Sequence, residues 1–113
     1  MVEYVVDTCA AIEYLQGNKK FVEKINSATK LHTTLHMLTE LYFNSLKNNG
    51  GETANRHFEA FARYFDVTTE TEVKEAMKLR LKVKNQAAKA SYADAISYQK
   101  AVEKKCKFLT GDG

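Results

Sequence analysis

Short β-rich runs alternate with segments of helical periodicity along this chain, and that alternation restricts its fold more than any other feature. Residues 2–6, VEYVV, are apolar and largely β-branched. The next stretch, DTCAAIEYLQG, takes helical spacing through Ala10, Ile12 and Leu15, and Gly17 can end it. KFVEKINSA repeats a helical pattern at Phe21, Val22 and Ile25, and KLHTT reads as a second strand. LHMLTELYFNSLKNNGG carries an apolar stripe of Leu35, Leu38, Tyr42 and Leu46, stopped by Asn49, Gly50 and Gly51. ETANRHFEAFARYFDV is helical through Phe58, Phe61, Ala62 and Phe65, and its end feeds a third short strand near residues 65–67.

KLRLKVK, residues 78–84, alternates basic and apolar residues with period two, which alone signals a strand. Its flanks, ETEVKEAM and NQAAKA, are dense in helix formers. Val73, Met77 and Arg80 recur three or four apart, and Thr69 or Thr71 can cap the start, so the reading is a long helix with its basic side chains outward. YADAISYQKAVEKK is helical through Ala93, Ile96, Tyr98 and Val102, and CKFLTGDG supplies a last strand. Strand and helix in turn predict an α/β fold, a parallel sheet of about four to five strands flanked by helices in three layers.

The chain of 113 residues contains no proline, repeat or low-complexity stretch, so one unit over residues 1–113 is expected. No apolar run approaches the roughly 20 residues of a membrane span, and no basic-then-apolar leader opens the sequence. No membrane association and a cytoplasmic location are the expectation. Cys9 and Cys106 lie far apart without zinc-type neighbours, which predicts two reduced, buried thiols. A formal charge of +3 permits a phosphate-bearing partner without demanding one.

The acids carry the chemistry. In an open parallel sheet, ligands bind outside the carboxyl ends of the strands. Asp7 directly follows the first strand, Asp112 follows the last, and Asp94 opens the helix before it. Glu40 interrupts the apolar face LHMLTELYF, where an unpaired charge would be costly to bury. Asp7 and Asp94 taken singly read as helix caps, and Glu40 as a rim residue. Taken together, the four converge on a hard cation, Mg²⁺ or Mn²⁺, which prefers carboxylate and water oxygens. Hydrolysis of a phosphodiester is the natural reaction of such a centre.

VVDTCAAIEYL, TLHMLTELYF, SYADAISYQKA and FLTGDG, in this order and spacing, resemble the PIN-domain ribonucleases, and among them the small VapC-like toxins. The resemblance covers nearly the whole chain. It implies a parallel sheet of about five strands, with Asp7, Glu40, Asp94 and Asp112 as catalytic metal ligands for Mg²⁺ or Mn²⁺. Thr8, Ser91 and Thr110 match hydroxyls that orient those carboxylates. Cys9 stands where asparagine or serine is frequent, and the family usually continues past the last acid. An RNA substrate, a cognate antitoxin protein and a homodimer are the partners it implies.

Arg80, Lys82, Lys84 and Lys89, with Lys78, are candidates for contacts to RNA phosphates, set against a plain solvated face. His32 and His36 fall on either side of a strand-to-helix break and read as structural or surface residues, and His57 is given no chemistry. Two other function classes stay open: a catalytically inactive PIN-like module that binds RNA or protein, and a phosphoacceptor receiver domain. The receiver ranks low because Asp66 is poorly placed and no lysine follows Asp112.

Overall fold

A computed structural model describes residues 2–82 and 91–111 of the chain. Lys84, Lys89 and Asp112, all candidates above, lie outside the described residues. The elements run β1 (Glu3–Val6), α1 (Thr8–Leu15), α2 (Lys19–Ser27), β2 (Lys30–His32), α3 (Leu35–Asn49), α4 (Gly51–Ala62), α5 (Glu70–Lys82), α6 (Tyr92–Lys104) and β3 (Lys107–Leu109).

All the strand pairings are parallel, and β1 lies in the middle of the order β2-β1-β3. Val5 pairs with His32 on one side and with Phe108 on the other. The α/β class is as the alternation predicts. Among the described residues, however, the sheet has three strands rather than four or five. The third strand expected near residues 65–67 is reduced to a single parallel bridge between Thr33 and Phe65. There the Thr33 amide donates to the Tyr64 carbonyl at 3.0 Å, and the Asp66 amide donates to the Thr33 carbonyl at 3.0 Å.

The main core packs β1, β2 and β3 against α1, α2, α3 and α4. Val5, Val6, Ala10, Ala11, Met37 and Leu41 are fully buried, with Phe61 and Leu109 close behind. A central strand sequestered on both faces needs apolar side chains throughout, and this is why VEYVV lacks a clean alternation. A second, smaller cluster of Ala76, Ala95 and Ile96, flanked by Val73 and Met77, joins α5 to α6. Its alanines let the two helices approach closely, and α5 is helical where KLRLKVK alone suggested a strand. Thr69 caps it: the Glu72 amide donates to the Thr69 hydroxyl, and the Thr69 amide donates to the Glu72 carboxylate, both at 3.1 Å.

Several helices expose a different face from the one their sequence suggests. In α3 the buried positions are Met37, Leu38, Leu41 and Ser45, whereas Leu35 and Leu46 face out. In α6 Tyr98 and Val102 are exposed, and Ser97 and Lys100 are buried with Ile96 and Ala101. The Lys100 ammonium pairs with Glu72 at 3.0 Å and donates to the Val67 carbonyl at 3.1 Å, which makes its burial tolerable. His32 is buried with both ring nitrogens on carboxylates, those of Glu3 and Asp66, and is structural as expected. Neither cysteine forms a disulfide, but Cys9 is exposed and Cys106 half-buried, against the expectation of two buried thiols.

Candidate active site

The site begins where β1 ends. Parallel pairing with β3 continues one step beyond β1: the Asp7 amide donates to the Leu109 carbonyl at 3.0 Å. That hydrogen bond sets Thr110 and Gly111 beside Asp7. Asp7 is 3% exposed and caps α1, accepting from the Ala10 amide at 2.8 Å. The Thr110 hydroxyl and the Gly111 amide also hydrogen-bond to its carboxylate. Gly111 is required by close approach, because a Cβ there would stand 2.6 Å from the Cys9 Cβ and 2.9 Å from its carbonyl carbon. Any side chain would push the Thr110–Gly111 turn off the start of α1.

Glu40 occupies the second turn of α3. Its carboxylate accepts from the Thr8 hydroxyl at 2.8 Å, so it faces α1 rather than open solvent. Asp94 sits in the first turn of α6 and closes a capping box with Ser91. The Asp94 amide donates to the Ser91 hydroxyl at 3.0 Å, and the Ser91 amide approaches the Asp94 carboxylate at 3.4 Å. Ser91 is therefore the N-cap of this helix, and Asp94 its partner three residues on. Thr8, Cys9, Glu40, Phe43, Ser91 and Asp94 line one open groove.

The electrostatics of Asp7 point toward a cation. Burial pushes the Asp7 carboxyl above its ordinary range, and the nearby Asp94 charge adds to this. The hydrogen bonds from Ala10, Thr110 and Gly111 pull the other way without cancelling the rise. Two acids held within electrostatic reach, one of them buried, are stabilised by a positive charge between them. Among the described residues no group of three or more His, Cys, Asp or Glu side chains is gathered tightly enough to hold a metal ion. The donor set nevertheless suits Mg²⁺ or Mn²⁺. Such an ion keeps several waters and needs only one or two carboxylates besides the substrate's phosphate oxygens.

The basic candidates divide. Arg80 stacks its guanidinium over the ring of Tyr92, the first residue of α6, 4.7 Å from the centroid, while Lys82 is exposed at the end of α5. Sequence reading missed the Phe43, Asn44 and Lys47 side of the groove, although these share a helical face with Glu40 at spacings of three, four and seven. It also missed a buried Ser45 hydroxyl bonded to His57 Nδ1 at 2.8 Å across α3 and α4.

The family model of the PIN domain matches residues 4–113. Among solved structures, VapC20 of Mycobacterium tuberculosis, described as a sarcin–ricin loop cleaving toxin, superposes with a TM-score of 0.77 at 18% identity, covering 96% of this chain and 91% of that one. A toxin–antitoxin complex from Klebsiella pneumoniae gives 0.70 at 16% identity, over 95% of this chain and 84% of that one. VapBC2 of Rickettsia felis, bound to a promoter DNA fragment, gives 0.72 at 11% identity, over 96% and 86%. At these identities the likeness is one of fold. No curated protein sequence matches the chain.

Proposed function

This chain belongs to the PIN domain family, and from that premise we propose that it is a metal-dependent endoribonuclease hydrolysing RNA phosphodiester bonds, the toxin of a toxin–antitoxin pair. The observation that carries the reading is the buried Asp7, its carboxyl pushed up by burial and by Asp94 at the end of the central strand. A buried carboxyl whose pKa is shifted by burial and by a second acid is a mark of a functional site.

In this reading Asp7, Glu40 and Asp94, joined by Asp112, hold Mg²⁺ or Mn²⁺. When bound, the ion supplies a Lewis acid that lowers the pKa of a water and offsets charge building on the scissile phosphate. The chain's own groups arrange the rest. Thr110 and Gly111 fix one face of Asp7, Thr8 orients Glu40, and the Ser91 capping box sets the Asp94 rotamer. Arg80, Lys82, Lys84 and Lys89 engage the RNA backbone as cations. The antitoxin and a second copy of the chain are the protein partners, served by exposed apolar side chains such as Leu35, Leu46, Tyr98 and Val102. The described residues contain no helix long and apolar enough to cross a membrane, and the reading places the chain in the cytoplasm.

Labelled RNA incubated with the purified chain and Mn²⁺ tests this. Cleavage is expected, with loss of at least about a hundredfold in Asp7→Asn and in Asp94→Asn at unchanged folding. Retained cleavage in both variants would remove these acids from the chemistry. A folded wild type that binds RNA without cutting it would make the chain an inactive binding module.

A further inference from the structure

Phe43 is the feature of the groove that the hydrolytic reading leaves unused. It is 65% exposed and belongs to neither core cluster of the described residues. Three features fix its surroundings. It lies one turn beyond Glu40 on the same face of α3 and lines the groove that also holds Asp94. The Lys47 ammonium stands 5.8 Å from its ring centroid. The Asn44 side chain lines the groove beside it.

We propose that Phe43 is a stacking platform for a nucleobase of single-stranded RNA next to the scissile phosphate, with Lys47 holding an adjoining phosphate and Asn44 reaching the base edge. The proposal rests on the ribonuclease reading and names the part of the substrate that reading leaves open. An unpaired base offers an apolar face that every sequence shares, and an exposed aromatic ring receives it. A cation over the ring, 5.8 Å from its centroid, suits the anionic backbone that accompanies the base. The groove, about 340 Å³, lies at the small end of the roughly 300–1,000 Å³ that single small ligands occupy. It fits one nucleotide better than an extended peptide helix. Asp94 from α6, with Glu40, the ring and the lysine along α3, would hold the phosphate and its neighbouring base in register.

Binding isolates this from catalysis. The probes are a fluorescein-labelled uridine 12-mer and an equally long chain of abasic ribose phosphates, titrated with the full chain in Ca²⁺ and followed by anisotropy. Phe43→Ala should weaken the uridine oligomer by about 5- to 150-fold and leave the abasic chain within twofold. Phe43→Tyr should keep wild-type affinity, and Phe43→Leu, which keeps apolar area without a π face, should resemble the alanine variant. Lys47→Gln should weaken both probes alike and lower the salt slope by about one. Since the ring contributes nothing to the core, the thermal midpoint should not move, and folding does not confound the result. Equal losses on both probes, or none for Phe43→Ala, would overturn the platform while leaving the ribonuclease reading in place, and would assign the ring to a protein partner. Failure of the wild type to bind either probe would overturn both.

Discussion

At the scale of single residues, Asp7 sets a function against stability. An acid whose folded pKa is raised contributes stability only in its neutral form, and that contribution is lost as pH rises through the folded value. The metal-free protein therefore loses stability as Asp7 ionises, with Asp94 near it. Asparagine keeps an acceptor for the Ala10 amide, so the α1 cap survives the substitution. Asp7→Asn should raise the thermal midpoint in EDTA by a few degrees, given that about 1 kcal/mol corresponds to roughly 4–8 °C in a chain near this size. Mn²⁺ should reverse the order by stabilising only the wild type. Calorimetry with and without the ion reads both changes, and a destabilised variant in EDTA would contradict the assignment of strain to Asp7. Asp7, Glu40 and Asp94 stand out as candidates in the sequence because Asp7 follows a strand, Glu40 interrupts an apolar helix face and Asp94 opens a helix. Gly111 does not, since a close approach of two backbones distant in sequence leaves no local pattern.

At the scale of elements, the helices were legible and their buried faces less so. The stripe of α3 was misread by about one position because Ser45 and Met37 fill core sites that a hydropathy pattern gives to Leu46 and Leu35. The Ser45 hydroxyl is tolerated there by its bond to His57. Lys100 was invisible for the same reason: a lysine is read as surface, and Glu72 on another helix with the Val67 carbonyl makes its burial acceptable. Burial pushes the Glu72 carboxyl up, but Lys100 and the Thr69 amide overcome this and hold it below its ordinary range. Asp66 behaves alike, its burial outweighed by the His32 hydrogen bond and the Lys104 and Lys100 charges. A depressed folded pKa gives stability that is present above the unfolded value and lost as pH falls through the folded one. The α5–α6 pair and the Thr33–Phe65 bridge should therefore loosen between about pH 5 and pH 3. Glu72→Gln should lower the midpoint at neutral pH and flatten that acid dependence, and a wild-type midpoint constant across the window would refute it.

At the scale of the whole molecule, the alternation of strand and helix carried the α/β class and the parallel sheet. The strand count did not follow as closely. A strand is set by its neighbours' hydrogen bonds, and the segment at Phe65 forms only one bridge residue before Asp66 turns to His32. What the topology accomplishes is convergence: β1 in the centre delivers Asp7, and the turn after β3, the second turn of α3 and the first turn of α6 bring Thr110, Glu40 and Asp94 to the same edge. The central claim is that this edge is a site for a hard divalent cation. Isothermal titration of the metal-free chain with Mn²⁺ tests it most directly. The account predicts saturable binding by the wild type, weakened at least about tenfold in Asp7→Asn and in Asp94→Asn. Wild-type affinity retained in both variants, or no binding by the wild type, would contradict it.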